Sequence, residues 1–236
     1  MKIKGLVSVI VPNHGRDITD LVRSVNASTY RHIELIVVDE GKERSAQRNI
    51  GIDRARGEFL LILDSDQEIS PCLIQECILW MNQGFDALYI PEILNATGIF
   101  GAIRKWERGF YNGTAVDVVR FVRAKGCPYF DCSLSGPEDS DWDRRVFGKR
   151  ATTILPLYHN DNIPLGTYLK KKAYYSKSMR RFANRWPDDK CINIWWRCFG
   201  VYVEKGKWKR ILRRPDLFIG MMFILALRGI VYYAKR

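Results

Sequence analysis

The sequence predicts an α/β protein whose mostly parallel sheet is flanked by helices. Three apolar runs rich in β-branched residues are typical of fully buried strands: Leu6–Pro12, Ile33–Val38 and Phe59–Leu63. Helix-like segments at Asp20–Ala27 and Ser45–Ala55 separate these runs. Alternating strands and helices favour a parallel sheet covered on both faces, and ligands of such sheets bind beyond the carboxyl ends of the strands.

Further elements follow the third apolar run. In chain order they are a helix at Ser70–Asn82, strands at Ala87–Pro91 and Val116–Val122, a helix at Glu138–Gly148 and a strand at Thr152–Leu157. Between the first two of these strands, Glu92–Thr114 is rich in glycine and charge and has little periodicity, which predicts a functional loop. Polar clusters at Asn13-His14, Asp39-Glu40 and Asp64-Ser65-Asp66 end the first three strands, so we expect them to face one crevice.

The net charge is concentrated in one part of the chain. Residues 170–214 contain 15 Lys or Arg and three Asp or Glu, which accounts for the whole formal charge of +12. Tryptophan and tyrosine are interleaved with these basic residues, a composition that suits a nucleic-acid backbone or an anionic membrane surface. We therefore expect two domains: a catalytic domain at residues 1–165, and a basic, aromatic and helical extension at residues 166–236.

Cysteine spacing and the N-terminal segment indicate the cellular compartment. The six cysteines lack the C-x-x-C spacing of zinc and redox motifs, and free thiols are typical of a reducing compartment. The first residues run directly into a strand-like segment, so no signal peptide is expected. The catalytic part is accordingly predicted to be cytosolic.

The pair of acids in Asp64-Ser65-Asp66 directly follows a buried strand. Two like charges beside an apolar core require a cation to offset them, and Mg²⁺ or Mn²⁺ bound to a diphosphate would do so. The alternative is an acidic turn exposed to solvent. The motif alone leaves both interpretations open.

A second acidic cluster places four carboxylates within Glu138–Asp143. Acids in the first turn of a helix favour the positive end of its dipole, which is the structural alternative for most of them. Asp139 could instead take a proton from an attacking hydroxyl, and Arg145 could contact phosphate or orient that acid. His159 follows the last predicted strand and is a candidate metal or phosphate ligand, with a surface histidine as the alternative.

Several segments resemble family 2 glycosyltransferases of the GT-A fold in order and rough spacing. They are VSVIVPNHGR, IELIVVDEG, SAQRNIGIDRARGEFLLILDSDQEI, GPEDSDWDRRV and YHND, which lie within residues 5–161. The resemblance implies the following site: Pro12, Asp39, Arg48, Asn49, Asp64 and Arg145 for the nucleotide sugar, Asp64, Asp66 and His159 for the metal, and Asp139 as the base. Asn13-His14 and Asp39-Glu40-Gly41 depart from the family pattern, so the base and the sugar stay open.

The family resemblance also implies a reaction. It is an inverting transfer of a hexosyl or N-acetylhexosaminyl group from a UDP- or GDP-linked donor, with Mn²⁺ or Mg²⁺ as cofactor. Arg104–Phe110 and Val119–Val122 resemble segments of members that act in lipid-linked glycan assembly, which implies a polyprenyl-linked acceptor.

Three alternatives to this function are open. Within the class, the acceptor could be soluble or a polysaccharide. A nucleotidyltransferase also uses paired carboxylates and Mg²⁺, but it releases pyrophosphate. A nucleic-acid-binding protein would explain the charge of the C-terminal part but would leave both acidic clusters unused, so no nucleic-acid partner is expected.

The C-terminal segment Leu217–Tyr233 is almost entirely apolar but contains Arg228. It is shorter than the roughly 20 apolar residues of a spanning helix, so an in-plane or re-entrant membrane helix is predicted, with a buried core helix as the alternative. Basic residues at Lys205–Arg214 and Lys235-Arg236 flank it, and Trp195, Trp196 and Trp208 are expected at headgroup depth.

The basic segment Tyr168–Arg185 also carries aromatic side chains between its Lys and Arg residues. It is predicted to lie on anionic lipid or near a polyprenyl phosphate, with a solvated helical face as the alternative. The protein is therefore expected at the cytoplasmic face of a membrane, as a peripheral or monotopic protein.

Overall fold

The computed structural model describes residues 2–233, and the chain forms two compact units. The first unit comprises the chain up to Glu92 together with residues 118–132 and 138–160. The second comprises residues 93–117, residues 133–137 and the chain from Asp161 onward. The expected division between residues 165 and 166 stays a prediction.

The first unit is built on a six-stranded sheet. In order across the sheet its strands are β2 (Ile33–Val38), β1 (Ile3–Pro12), β3 (Gly57–Ile62), β7 (Val119–Arg123), β5 (Ala87–Tyr89) and β8 (Arg150–Thr152). β1 runs parallel to β2 and β3, and β5 runs parallel to β8, whereas β7 is antiparallel to both of its neighbours. The predicted α/β class with a mostly parallel sheet is confirmed.

Helices of the first unit cover both faces of this sheet. Numbered along the described chain, and including those of the second unit, the helices are α1 (Thr19–Asn26), α2 (Arg44–Arg54), α3 (Leu73–Asn82), α4 (Gly98–Tyr111), α5 (Glu138–Arg145), α6 (Leu165–Ser176), α7 (Met179–Arg185), α8 (Val201–Val203), α9 (Trp208–Arg213) and α10 (Pro215–Tyr233). Those that cover the sheet are α1, α2, α3 and α5. Val9 of β1 packs in a core cluster with Leu21 of α1 and Leu73 of α3. The next residue, Ile10, packs on the other face in a second cluster that includes Trp142 of α5. This alternation follows from the two-residue period of a strand.

α2 lies close to β1 because Gly51 has no side chain. A Cβ atom at Gly51 would stand 2.3 Å from Cγ2 of Ile10, well inside van der Waals contact. The same helix carries Arg44 and Arg48 in its first two turns. Close packing at Gly51 therefore sets the position of these two arginines relative to the sheet.

A short strand pair brings two candidate ligands together. β4 (Gln67–Ile69) and β9 (Leu157–Asn160) are antiparallel, with Gln67 opposite His159. The backbone N–H of Asn160 donates to the carbonyl of Asp66 at 2.8 Å. Asp66, which precedes β4, is thereby fixed beside His159.

Two predicted segments differ from the structure. Glu92–Thr114, expected as an irregular loop, contains β6 (Glu92–Asn95) and α4. The helical period of α4 is hidden because its buried face includes Glu107 and its sequence contains three glycines. The strand expected at Thr152–Leu157 is also wrong: β8 ends at Thr152 and β9 begins at Leu157, directly after Pro156, which has no N–H to donate to a strand ladder.

The second unit is helical. Its core joins α4, α6, α8 and α10 through the side chains of Ile103, Phe110, Tyr168, Tyr202 and Met221. The predicted C-terminal helix is present as α10, which buries one face and exposes the other. Lys235 and Arg236, expected as its basic flank, lie outside the described residues.

Candidate active site

The carboxyl ends of β1, β2 and β3 meet at one edge of the sheet. Pro12 lies opposite Val38, and the N–H of Leu63 donates to the carbonyl of Ile10 at 3.0 Å. Pro12 is buried, whereas Asp39 is exposed directly after β2. Pro12, Asp39 and Asp64 therefore lie along the edge at which parallel sheets bind their ligands.

Arg48 of α2 is completely buried, and both ends of its guanidinium group hold carboxylates. Nη2 donates to Oδ1 of Asp64 at 2.7 Å, and Nη1 donates to Oδ1 of Asp139 at 2.5 Å. The guanidinium also lies over the ring of Phe130, with Cζ 5.0 Å from the ring centre. Charge-assisted bonds of this kind fix Asp64 and Asp139 to one rigid group.

A second arginine, Arg120 of β7, lies between Asp64 and Glu92. Its Nη1 is 3.6 Å from Oδ2 of Asp64, and its Nη2 is 3.5 Å from Oε2 of Glu92. Burial alone would raise the pKa of Asp64, but the charges of Arg48 and Arg120 hold that pKa well below its usual value. Asp64 is therefore ionised at neutral pH.

Asp66 is flanked by His159 and Arg16. Nε2 of His159 lies 3.2 Å from Oδ1 of Asp66, and Nη1 of Arg16 donates to Oδ2 at 2.8 Å. Nδ1 of His159 lies 2.9 Å from Oε1 of Glu92. Burial lowers the pKa of His159, but the hydrogen bonds to Asp66 and Glu92 outweigh it and raise the pKa to about 9. His159 is thus an imidazolium at neutral pH.

These contacts form a continuous row in which negative and positive groups alternate. We call it the charge row, and its members in order are Asp139, Arg48, Asp64, Arg120, Glu92, His159, Asp66 and Arg16. Four carboxylates balance three guanidinium groups and one imidazolium. The end member Arg16 has a side chain that is 61% exposed, whereas the other members are mostly shielded from solvent.

The neighbouring acids of α5 have partners away from the charge row. Glu138 is buried and pairs with Arg44 at 2.8 Å, and Asp143 pairs with Arg150 at 3.1 Å. Burial and the adjacent charge of Asp139 raise the pKa of Glu138. Asp139 is thus the acid of this helix that faces the buried Arg48.

Arg145 and Asn49 are engaged in structural contacts. Arg145 pairs with Asp141 and donates to the carbonyl of Tyr129 at 2.7 Å. The Asn49 amide donates to the carbonyl of Phe130 at 3.0 Å and accepts from its N–H at 2.7 Å. Both side chains hold the segment that precedes α5, and their expected contacts with a nucleotide sugar stay predictions.

Comparison with known proteins shows which family part of the chain resembles. Residues 40–116 match the family described as Glycosyl transferase family 2. The glycosyltransferase GlyG of Streptococcus pneumoniae serotype 4 is 30% identical over a match that covers 30% of this chain and 33% of GlyG, so the chain spans about a third of the length of that relative. Residues 40–116 are thus similar to family 2 glycosyltransferases. This similarity and the relative GlyG agree with the predicted family and with the predicted enzyme class, glycosyltransferase.

Two solved structures are similar to this chain in fold. TarS of S. aureus has a TM-score of 0.51 at 14% identity, covering 98% of this chain and 52% of TarS. TarS 1–349 in complex with UDP-GlcNAc has a TM-score of 0.50 at 13% identity, covering 98% of this chain and 87% of that one. At these identities the likeness concerns the fold, and it agrees with the predicted GT-A type.

In this candidate site, Asp66 fits a divalent cation better than Asp64 does. Buried arginines lie against both oxygens of Asp64, whereas Oδ2 of Asp66 meets the exposed Arg16, and exposed ion pairs contribute only about 0–1 kcal/mol. Mg²⁺ and Mn²⁺ take carboxylate oxygens together with phosphate oxygens. His159 must lose its proton before its nitrogen can bind a metal. The donor set therefore fits a cation bound mainly through Asp66.

Three members of the charge row are absent from the sequence-based prediction. Arg120 lies in the apolar run VRFV, where a buried arginine requires a carboxylate partner, and this is a usable signal. Arg16 lies in the PNHGR segment, but no local sequence pattern predicts its contact with Asp66. Glu92 begins a segment without clear periodicity, so its partners could not be inferred.

Proposed function

We propose that this chain transfers a hexosyl or N-acetylhexosaminyl group from a nucleoside diphosphate sugar to a hydroxyl group of a membrane-associated acceptor, with inversion at the anomeric carbon. The observation that carries the proposal is the position of Arg48. Its buried guanidinium holds both Asp64 of the metal motif and the candidate base Asp139. Arg48 thereby positions both Asp64, a group proposed to bind the donor, and Asp139, the group proposed to activate the acceptor.

Asp66, with Asp64 beside it in the sequence, is the group that would hold Mn²⁺ or Mg²⁺. When bound, the cation neutralises the negative charge that grows on the departing diphosphate. The exposed Arg16 gives up its contact with Asp66 at little cost, and its guanidinium is then available to phosphate oxygens.

Asp139 is the group that takes the proton of the acceptor hydroxyl. The acceptor oxygen forms a bond to the anomeric carbon while the bond from that carbon to the diphosphate breaks, and the nucleoside diphosphate leaves. Arg48 donates to Oδ1 of Asp139, so Oδ2 is the oxygen proposed to accept the proton. One displacement step assisted by one base gives inversion. An acceptor phosphate would need no such base.

A UDP-linked donor is the first to test, since TarS 1–349 was crystallised in complex with UDP-GlcNAc. GDP-linked sugars are the second, because Asn13-His14 and Asp39-Glu40-Gly41 give no preference between the two nucleotides.

The second unit supports a membrane-associated acceptor. By length and composition α10 could cross a membrane. Large apolar side chains are exposed at Ile219, Phe223 and Ile230 of α10 and at Trp208 and Leu212 of α9. Lys209 and Arg213, also on α9, are exposed as well. Exposed apolar side chains with basic neighbours suit helices that lie in an anionic membrane interface, so we place the enzyme at the cytoplasmic face of a membrane, as a peripheral or monotopic protein.

Calorimetry tests the donor site. UDP-GlcNAc and other UDP- and GDP-linked sugars are titrated into the full chain with Mn²⁺, with Mg²⁺ or with EDTA. Binding that requires the metal and is lost in Asp66→Ala supports the proposal. Asp20→Ala removes a carboxylate from an exposed ion pair and should leave binding unchanged. Binding that is indifferent to both EDTA and Asp66→Ala would contradict the proposed donor site.

A transfer assay with a bacterial lipid extract tests the reaction. Asp139→Asn should bind donor but lose at least about 100-fold in transfer, the range that general-base catalysis contributes. Unchanged transfer in this variant would exclude Asp139 as the base. Release of pyrophosphate would identify a nucleotidyltransferase, and labelled product confined to the aqueous phase would identify a soluble acceptor.

A further inference from the structure

The second unit contains a buried acid around which aromatic hydroxyls and a cation converge. Glu107 of α4 accepts hydrogen bonds from Tyr111 and from Tyr202, the latter at 3.2 Å. Arg228 of α10 also donates to Glu107, and it donates to the hydroxyl of Tyr168 at 3.0 Å. The arginine that interrupts the apolar C-terminal segment is therefore bound inside its own unit, where it neutralises Glu107.

Two further cations each lie against a tyrosine of this cluster. Nζ of Lys172 is 5.3 Å from the ring centre of Tyr168 and 5.8 Å from that of Tyr175. Cζ of Arg197 is 5.6 Å from the ring centre of Tyr111. Within residues 2–233, neither Lys172 nor Arg197 makes an ion pair with a carboxylate.

The charges of this cluster are unbalanced. Lys172, Arg197 and Arg228 contribute three positive charges, and Glu107 contributes one negative charge. Another nearby arginine, Arg104, is already paired with Asp161. Cations that are partly removed from water without a counter-charge favour the binding of an anion.

Titration of Lys172 supports the same conclusion. Burial and the charge of Arg228 lower the pKa of Lys172 to about 7, and Arg197 and Lys171 act in the same direction. Glu107 opposes them without restoring the ordinary pKa. An anion placed beside Lys172 would remove this unfavourable environment and raise the pKa again.

We propose that Lys172 and Arg197 form a binding site for the phosphate group of an amphiphilic molecule, with Arg228 and the tyrosines as its support. A phosphate monoester carries a charge of about −1.5 to −2, which matches the surplus of two positive charges that is present once the bound anion keeps Lys172 protonated. Phosphate oxygens accept hydrogen bonds from the planar guanidinium group of arginine and from the compact ammonium group of lysine. The apolar side chains exposed on α10 of the same unit suit the hydrocarbon part of the molecule.

The identity of the bound molecule as the sugar acceptor rests on the proposed function, whereas phosphate binding does not. Two sources of phosphate are distinguishable. A lipid headgroup brings a hydrocarbon chain, and free phosphate does not.

Nuclear magnetic resonance of the full chain, with its lysines reductively methylated with ¹³C-formaldehyde, tests the site. The pKa of Lys172 is measured with EDTA alone, with inorganic phosphate, and with dodecyl phosphate in a neutral detergent. We expect saturable binding that raises the pKa of Lys172 by at least one unit. A response to both compounds indicates a general phosphate site, and a response to dodecyl phosphate alone indicates a lipid headgroup site. No response to either compound overturns the proposal.

Matched variants distinguish binding at this site from nonspecific attraction of phosphate to the many basic residues of the chain. Arg197→Gln should raise the dissociation constant for dodecyl phosphate at least tenfold, whereas Lys125→Gln, which removes an exposed lysine of the first unit, should leave it unchanged. Equal weakening by the two variants would mean that binding is diffuse and would refute a defined site. Asp66→Ala should abolish sugar transfer yet leave the Lys172 response intact, so failure of the phosphate site and failure of the proposed function give different results.

Discussion

The imidazole of His159 lies with Nε2 3.2 Å from Oδ1 of Asp66. Asp66 lies in the turn between β3 and β4, and His159 lies in β9, so this contact ties the turn to β9. It also makes the stability of the protein dependent on the charge of one histidine, because the pKa of His159 is raised from 6.5 to about 9.

The raised pKa predicts a loss of stability at alkaline pH. The folded state binds the His159 proton more tightly than the unfolded state, so the stabilisation is fully present below pH 6.5 and is lost as the pH rises through about 9. The loss of this contribution to the free energy of unfolding is on the order of 3 kcal/mol. Lys172 acts in the opposite sense over the same pH range, because its pKa is lowered to about 7 and the folded state gives up its proton more readily than the unfolded state. Urea unfolding of the wild type and of His159→Gln between pH 6 and pH 10 in EDTA therefore isolates the His159 contribution as the difference between the two stability curves. A difference that does not change with pH would contradict the assignment.

Replacement of Arg48 by methionine predicts a large loss of stability. The change leaves Asp64 and Asp139 without their shared buried partner, and breaking a buried pair in this way costs about 3–5 kcal/mol. Chemical unfolding of the purified variant measures the loss. Arg54→Met, on the same helix, removes an exposed pair with Glu40 and should cost no more than about 1 kcal/mol. Similar losses in the two variants would show that Arg48 is not the centre of the charge row.

A methyl group at Gly51 is predicted to separate α2 from β1. Gly51→Ala places a carbon 2.3 Å from Cγ2 of Ile10, and overpacking of a core typically costs about 1–3 kcal/mol. Gly166→Ala is the control, because a Cβ atom there meets no atom within 4 Å. Thermal unfolding compares the two. If the melting temperature of Gly166→Ala fell as far as that of Gly51→Ala, the loss would be a general effect of replacing a helical glycine.

Exposed apolar side chains of α10 are predicted to hold the protein on anionic vesicles. Phe223→Gln combined with Ile230→Gln should lower the partition coefficient by at least about tenfold, since burying each such side chain contributes about 1.5–3 kcal/mol. Co-sedimentation with vesicles of phosphatidylcholine and phosphatidylglycerol measures the change.

The control for membrane binding carries the same number of changes in the first unit. Phe147→Gln combined with Ile154→Gln removes two side chains that are even more exposed, at 92% and 83%. This pair should leave vesicle binding unchanged. Equal binding by all three proteins would refute a role of α10 at the membrane.

Local sequence patterns were sufficient for the elements that bury a continuous apolar run. β2 matches the prediction residue for residue, and β1 and β3 differ by a few residues at their ends. α4 could not be predicted, because Glu107 is buried only through partners that are distant in sequence. The same limit applies to Arg48, for which the family resemblance predicts a contact with the nucleotide sugar. Its partner Asp139 lies 91 residues away, and no local pattern reports such a contact.

The charge row also has a consequence for how these positions vary together. Each inner member neutralises two neighbours, so loss of one charge is best tolerated when a neighbour of opposite sign is lost with it. In a random library screened only for folded protein, Glu92→Gln should be recovered together with Arg120→Met more often than either change alone. Covariation of this kind would appear as suppressor pairs that follow the order of the row rather than the order of the sequence.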